Sequence, residues 1–235
     1  MKSKRSSIFT GLLVVATSAV AQPPTTLSAG DQSAIQELMG SYARALGECR
    51  AEAFADLFVP ETGYFASGFR GVMVGHDRLM KLVQSERHCI APPATAAARP
   101  GGGNGPTVAI EATPKGARGL ANLGTAEYQD EYTKTAAGWR FASRTVIIGP
   151  EKAAGIDAAE LLALERMAGS KAVDRYEADQ NGVQRLMTAG VRIGVKDAEV
   201  TGRVFLKDGS YDDEVYEKVG PGAWRVKSSV HVPAK

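Results

Sequence analysis

The sequence is poor in several residue types, and each shortage excludes a class of protein. It has only two cysteines, too few for a small fold held together by several disulfides. Its three histidines do not combine with cysteine or carboxylate at ligand spacing, so we predict no metal site. The formal net charge is only +2 over 235 residues, without the clustered basic residues that binding to nucleic acid requires.

Long hydrophobic runs are also absent, since no run reaches the roughly 20 apolar residues that span a bilayer. The longest run, residues 8–20, follows three basic residues and ends in an Ala-x-Ala site. These are the marks of a secretory signal peptide, so we expect cleavage after Ala21 and a periplasmic or secreted protein without a membrane partner. Loss of this leader would change the net charge from +2 to −1.

Export decides how the two cysteines are interpreted. In an oxidising compartment, Cys49 and Cys89 are expected to form one disulfide. The alternative is a catalytic thiol at Cys89, which stands beside His88.

What the sequence does contain is an ordered series of helix and strand patterns. A capping box at Ser28-x-x-Asp31 and apolar residues at helical spacing predict an amphipathic first helix with Tyr42 on its buried stripe. Further patterns predict short helices at 51–58 and 77–85 and a strand at 63–67. A β-meander is predicted at 117–135 and 139–148. An Ala/Pro/Gly-rich loop at 91–106 precedes the meander, and a later helix is predicted at 155–168.

The last part of the sequence partly repeats the meander. Residues 119–145 and 202–230 share the order Gly, Tyr-x-Asp-Glu, Tyr and Trp-Arg-x-x-Ser. We therefore predict a leader at 1–21, a domain at 27–150 and an extension at 151–235, in which a helix precedes a partial repeat of 104–150. The alternative is two unrelated hairpins that use the same aromatic and glycine chemistry.

This order of elements resembles the SnoaL-like proteins of the nuclear transport factor 2-like superfamily. The resemblance spans residues 27–148 and depends on Ala34-Ile35-x-x-Leu38 with Tyr42, Ala53-Phe54-Ala55-Asp56-Leu57-Phe58, and Tyr128-x-Asp130-x-Tyr132 with Gly138-Trp139-Arg140-Phe141. It implies an α+β fold, a cone-shaped curved antiparallel sheet packed on helices around one cavity, here with a C-terminal β-rich partial repeat. Such families include cyclases, dehydratases, isomerases, lyases and plain binding proteins, so the fold leaves the function open.

Asp130 is the carboxylate that strand alternation directs into the implied cavity. It shares one strand face with Asn122, Tyr128 and Tyr132, while the mostly polar opposite face is expected to meet solvent. Burial between tyrosines would raise the pKa of this carboxyl, which suits a proton acceptor. The alternative is a satisfied Asp130 bonded to a tyrosine hydroxyl or to Arg140.

Three other residues are candidates for catalysis. His88 directly follows the third helix, where the resemblance implies a histidine near the cavity, although an exposed or capping role is the alternative. Tyr42 and Tyr64 could donate hydrogen bonds to an oxyanion, with core packing as the alternative for both. The predicted substrate-binding residues are Arg70, Asn122, Tyr128 and Tyr132.

Together these residues predict a cofactor-independent lyase or isomerase for a small aromatic or polyketide-like molecule. Asp130 or His88 would abstract a proton, followed by dehydration, isomerisation or retro-aldol cleavage. The first alternative is a non-catalytic envelope protein that binds a small hydrophobic or aromatic ligand, with a homodimer through the sheet as one arrangement. The second is an envelope protein whose repeat forms an interface.

Overall fold

The computed structural model describes residues 26–90, 108–123, 125–169 and 171–234. These residues contain six helices and twelve strands. The helices are α1 (Ala29–Gly47), α2 (Ala51–Ala55), α3 (His76–Gln84), α4 (Arg87–Ile90), α5 (Gly149–Ala153) and α6 (Ala158–Gly169). The first six strands are β1 (Tyr64–Ser67), β2 (Gly71–Val74), β3 (Ala109–Thr113), β4 (Gly116–Leu123), β5 (Ala126–Thr135) and β6 (Gly138–Ile148). The others are β7 (Arg175–Ala178), β8 (Gln184–Thr188), β9 (Val191–Lys196), β10 (Glu199–Phe205), β11 (Tyr211–Gly220) and β12 (Ala223–Val232).

The predicted leader, 1–21, and the Ala/Pro/Gly-rich segment, 91–106, lie outside the described residues. Within the described ranges, no helix is both long enough and apolar enough to cross a bilayer.

The first helix forms where its capping box and apolar spacing predict it. Ser28 Oγ accepts the backbone N–H of Asp31 at 3.1 Å, which satisfies one of the free donors of the first turn. Ile35, Leu38 and Tyr42 are buried on one stripe of α1, against the sheet. The helix therefore covers one face of the first meander.

A six-stranded sheet has the order β2-β1-β6-β5-β4-β3. Its neighbours are antiparallel except for β1 and β6, which are parallel, so the sheet is mixed and the expectation of a fully antiparallel sheet was wrong at this pair. The two strands are far apart in the chain and are not joined by a hairpin, so no short turn forces them to run in opposite directions. The α+β class itself is confirmed.

Two hydrophobic cores lie on the two faces of this sheet. The first core joins the sheet to α1, α2 and α3, and includes Phe54, Phe58 and Phe141. The second core joins the opposite face, through Ala66 and Ile147, to α6 and to a four-stranded sheet of order β12-β11-β10-β9. Helix α6 thus lies between two sheets.

The second core corrects, at Glu127 and Gln129, the expectation that the polar face of β5 meets solvent, while Glu131 on the same face is exposed as expected. Glu127 is buried and forms an ion pair with Lys152. Gln129 Oε1 accepts the backbone N–H of Ala158, at the start of α6, at 2.8 Å. This face is polar because it meets the first turn of a helix and the α5 segment, which supply hydrogen-bond donors.

Buried tyrosines make the same contact in both meanders. Tyr132 Oη donates to Asp130 Oδ2 at 2.8 Å, and Tyr216 Oη donates to Glu214 Oε2 at 2.9 Å. In each case the tyrosine lies two residues after its acceptor on the middle strand, β5 or β11. The likeness of the two sequences therefore extends to side-chain geometry.

The tryptophans of the two meanders also have equivalent partners. Trp139 Nε1 donates to Asp31 Oδ1 at 2.9 Å, and Trp224 Nε1 donates to Glu160 Oε2 at 2.5 Å. Both acceptors lie in the first turn of the covering helix, α1 or α6. Each acceptor also pairs with a lysine at 2.7 Å, in the pairs Lys134–Asp31 and Lys218–Glu160. The predicted region boundaries at 27–150 and 151–235 remain a prediction.

The predicted disulfide is confirmed. Cys49 and Cys89 are bonded, with their Cα atoms 5.5 Å apart. The bond joins the end of α1 to α4 across a sequence separation of 40 residues.

Candidate functional site

The interior of the first half holds one closed ion pair, between Asp130 and Arg144. Arg144 Nε donates to Asp130 Oδ1 and Nη2 donates to Oδ2, both at 2.9 Å. The Tyr132 hydroxyl adds a third bond to Oδ2 at 2.8 Å. The two charged side chains are only 1% and 0% exposed. We call Asp130, Arg144, Tyr132, Tyr42 and Tyr128 the interior cluster.

Strand register brings the two charges together. In the β5–β6 pair, Asp130 lies opposite Arg144. A bulge at Glu131/Tyr132 shifts the register, so that Phe141 and Arg144 both point into the first core although strict alternation puts them on opposite faces. A β-bulge cannot be located from hydrophobic alternation, so the sequence pattern did not predict that Arg144 lies inside.

The guanidinium of Arg144 is enclosed by aromatic rings. Its Cζ lies 4.1 Å from the centroid of Tyr42, 4.3 Å from that of Tyr128 and 4.7 Å from that of Phe141. Nη2 also contacts Met39 Sδ at 2.8 Å. Such cation–π contacts are strongest where water is excluded. Aromatic rings thus pack around the guanidinium, while Asp130 binds its edge.

The pKa values follow from this burial. Burial raises the pKa of the Asp130 carboxyl, while the charge and the hydrogen bonds of Arg144 and the hydroxyl of Tyr132 act in the opposite direction. Burial also raises the pKa of Tyr42, Tyr128 and Tyr132, so all three keep their hydroxyl protons at neutral pH. Three of the roughly four acceptor positions of the Asp130 carboxylate are occupied and the side chain is fully buried, so a substrate could reach this base only if the surrounding side chains opened.

The structure brings together four of the eight predicted catalytic or substrate-binding residues, Tyr42, Tyr128, Asp130 and Tyr132. The predicted alternative of a satisfied Asp130 agrees with this geometry, except that the cationic partner is Arg144 and not Arg140.

The other four residues lie apart from the interior cluster. His88 is exposed, and its Nε2 lies 2.9 Å from the carbonyl oxygen of Leu46. Tyr64 is half-buried against the second core, and Asn122 is exposed on β4.

Arg70 has a joining role. Its Nη2 donates to Glu86 at 2.8 Å, and its Nη1 donates to the carbonyl oxygen of Met187 at 3.3 Å. It therefore ties the loop before β2 to the second half.

One cavity lies between the two halves. It measures about 980 Å³, and we call it the junction cavity. The first half contributes Phe69, Ile148 and Glu151, and the outer face of the four-stranded sheet contributes Arg192, Gly194, Arg203 and Val230. A second cavity of about 310 Å³ lies beside His76. Neither cavity is lined by a member of the interior cluster.

Two groups of metal-ligand residue types occur among the described residues. In the first, around His88, both sulfurs belong to the disulfide. The second consists of Glu52, Asp56 and His76, in which His76 Nε2 lies 3.3 Å from Asp56 and 3.6 Å from Glu52. Exposed acidic groups beside a histidine are common without a metal ion. Among the described residues, these three are the candidates for holding one.

The sequence model of the SnoaL-like domain matches residues 28–145, half of the chain. The chain belongs to the SnoaL-like domain family. This confirms the resemblance and explains the helix-covered curved sheet of the first half. No curated protein shows significant similarity to the chain.

Solved structures also resemble this SnoaL-like protein over about half of its length. An NTF2-like protein with a cystatin-like fold from Novosphingobium aromaticivorans is 17% identical, with 51% of this chain and 82% of that chain covered and a TM-score of 0.38. A cystatin-like-fold protein of unknown function from Nostoc punctiforme is 16% identical, with 52% and 93% covered and a TM-score of 0.40. Hexachlorocyclohexane dehydrochlorinase LinA-type3 from Novosphingobium barchaimii is 14% identical, with 51% and 86% covered and a TM-score of 0.38.

Proposed function

We propose that this SnoaL-like protein binds a small organic molecule in the junction cavity, and that its SnoaL-like interior serves stability. The observation that carries this proposal is the contrast between a closed interior, where Asp130 and Arg144 satisfy each other, and an open cavity of about 980 Å³ beside it. A general base must lie within hydrogen-bond reach of the proton that it removes. Asp130 lacks that access, and His88 faces outward, away from both cavities.

The junction cavity has the properties of a ligand site. Its volume lies at the upper end of the roughly 300–1,000 Å³ that is typical of small-molecule pockets. Phe69, Ile148 and Val230 are 50%, 45% and 62% exposed in its wall, which is a large apolar exposure for three clustered side chains. Arg192 and Glu151 add polar groups that could orient a ligand.

The proposal is tested by filling the cavity from its wall. Gly194 lines the cavity, and a Cβ there meets only Thr201 Oγ1, at 4.0 Å, so Gly194→Phe directs a ring into the cavity without a backbone clash. Gly40→Phe on α1 is the matched control, because a Cβ at Gly40 meets no described atom within 4 Å and lies outside the cavity lining.

Both variants and the unaltered protein are screened against one library of small organic fragments by ligand-observed NMR. We expect fragments that bind the unaltered protein and Gly40→Phe but not Gly194→Phe. A screen in which Gly194→Phe loses no fragment would overturn the proposal.

We also propose that the protein works in the periplasm or outside the cell. The Cys49–Cys89 disulfide supports an oxidising compartment. Expression with the full N-terminus, followed by intact-mass measurement of the exported protein, tests the proposal. The mass should correspond to cleavage after Ala21 and to a bonded cysteine pair, and an uncleaved cytoplasmic product would contradict it.

A second candidate is the cofactor-independent lyase or isomerase predicted from the sequence. The observation that favours it is the grouping of an acid and three tyrosines around Arg144, within a family fold that also contains enzymes. Tyr132 binds Asp130, and the rings of Tyr42 and Tyr128 pack on the guanidinium. Proton abstraction by Asp130 would require the side chains around it to open, because Asp130 is fully buried. An assay for solvent-deuterium exchange into carbonyl compounds should then show activity that is lost in Asp130→Asn and retained in His88→Gln, and activity retained in both would exclude Asp130 as the base.

A further inference from the structure

One arginine in the wall of the junction cavity, Arg192, has no partner of opposite charge among the residues that the structure describes. The Arg192 guanidinium lies 4.4 Å from the centroid of Phe69, and its Nη2 is 3.5 Å from Thr188 Oγ1. Its Nε is buried and has no hydrogen-bond partner among the described residues. An ionised group in such surroundings is unfavourable unless something compensates it.

Three neighbouring arginines add positive charge around Arg192, although each lies beside an acidic partner of its own. Arg70 pairs with Glu86 at 2.8 Å, and Arg203 pairs with Asp213 at 2.7 Å. Arg175 lies 3.5 Å from Glu177. Burial first, and then the charges of Arg203, Arg175 and Arg70, lower the pKa of Arg192, with Glu177 acting in the opposite direction. Arg192 is thus a partly buried cation beside three other arginines.

The acidic residues of the same cavity do not neutralise Arg192. Three of them have lysine or arginine partners, in the pairs Asp213–Arg203, Glu199–Lys227 and Glu214–Lys171, at 2.7, 2.6 and 2.7 Å. Glu151 accepts the backbone N–H of Ile148 at 3.0 Å, and burial raises the pKa of its carboxyl. The fifth, Asp197, lies in the exposed turn between β9 and β10.

The geometry points to a small organic carboxylate as the ligand of the junction cavity, with its carboxylate on Arg192 and its apolar or aromatic body against Phe69, Ile148 and Val230. This inference deepens the proposed function and depends on it. A planar guanidinium edge matches a carboxylate, and stacking on Phe69 fixes its plane. A single negative charge fits better than a dianion, because five acidic side chains also line the cavity.

The test pairs each acid with its uncharged counterpart. Benzoate, phenylacetate, cinnamate and octanoate, and the four corresponding primary amides, are titrated into the purified full chain by NMR and calorimetry. We expect at least one carboxylate to bind about tenfold or more tightly than its amide, which is the scale of one charge-assisted contact.

Variants of two neighbouring arginines assign the preference to a residue. Arg192→Gln should abolish the preference for the carboxylate. Arg175→Gln should keep it within about twofold, because Arg175 belongs to the same cluster but does not line the cavity. Thermal unfolding of both variants checks that they are folded.

The inference is overturned if no carboxylate binds, if acids and amides bind equally, or if the preference persists in Arg192→Gln. The proposed function fails separately, when Gly194→Phe binds fragments as the unaltered protein does. If ligands bind without preferring the acid, and Gly194→Phe abolishes that binding, then the cavity is a ligand site but its ligand is not selected by a carboxylate.

Discussion

The two halves of the molecule share a set of contacts but neutralise their buried acids differently. In both, a tyrosine donates to an acid two residues before it, and a tryptophan and a lysine bind an acid in the first turn of the covering helix. In the first half, Asp130 lies opposite Arg144 on the neighbouring strand. In the second half, Glu214 lies opposite Ser229.

The second half therefore draws its countercharge from outside the sheet. Lys171, in the segment after α6, binds Glu214 at 2.7 Å and is 45% exposed, whereas Arg144 is 1% exposed. The strand scaffold and the charge pair are thus separable.

The contrast between the two countercharges predicts the largest effect. Arg144→Met leaves a buried carboxylate without its partner and should cost about 3–5 kcal/mol in the free energy of unfolding. Lys171→Met should cost less, about 1–2 kcal/mol, because the lysine end of that pair is 45% exposed and water can take the place of the ammonium group, although Glu214 itself is buried. Urea unfolding measures both.

The double variant Asp130→Leu/Arg144→Met is the control, since it removes both charges and should recover most of the loss. Equal losses in Arg144→Met and Lys171→Met would remove the difference between the halves.

The disulfide belongs to the first half alone, because both cysteines of the chain lie there. Cys49→Ser/Cys89→Ser should lower the free energy of unfolding by roughly 2–4 kcal/mol, through a larger conformational freedom of the unfolded chain. Dithiothreitol should destabilise the unaltered protein to the same extent and leave the variant unchanged. A variant as stable as the unaltered protein would contradict the prediction.

Two glycines test whether the shared contacts are equivalent in energy. A Cβ at Gly119 would lie 2.8 Å from Tyr132 Oη, and one at Gly202 would lie even closer to Tyr216 Oη. Gly119→Ala and Gly202→Ala should each cost about 1–3 kcal/mol in unfolding free energy, since each tyrosine must shift. Gly40→Ala, with open space around its Cβ, is the control and should be neutral or stabilising. A loss in one half only would break the equivalence.

A further prediction is a pH dependence that arises from one buried carboxyl group of the second half. Burial raises the pKa of Glu165, on α6, to about 9, and its Oε1 has no hydrogen-bond partner among the described residues. At pH values between the unfolded-state pKa near 4.5 and the folded-state pKa near 9, folding takes up a proton at Glu165. The contribution of this group to stability is therefore complete below pH 4.5 and falls as the pH rises towards 9.

Glu165→Gln should therefore gain on the unaltered protein by up to about 1.4 kcal/mol for each pH unit in that window, and the two should converge near pH 4. Denaturation at pH 6 and pH 7 measures the difference. A constant offset between the two proteins would show that Glu165 keeps its charge in the fold.

The first half of the fold was predictable because its signals are local. The capping box at Ser28, the helical spacing that buries Tyr42 and the alternation that directs Asp130 inward each depend on a few neighbouring residues. The disulfide followed from the cysteine count and the leader.

What could not be predicted depends on contacts between distant segments. The bulge that brings Arg144 opposite Asp130 has no signal in hydrophobic periodicity. Arg192 and Phe69 lie 123 positions apart in the numbering and meet only when the second sheet packs on the first. The prediction for His88 depended on its position directly after the third helix. That position does not determine the direction in which the side chain points.

Helix α6 has a consequence for how this chain associates with others. Through Ala66, Ile147 and Gln129, the sheet face opposite α1 is already covered by the chain's own C-terminal half. A second copy cannot pair through that face unless the C-terminal half detaches first. The C-terminal half thus covers this face as a partner subunit would, but it is covalently attached. Its effective concentration is fixed by the short connecting chain, so dilution of the protein does not remove it.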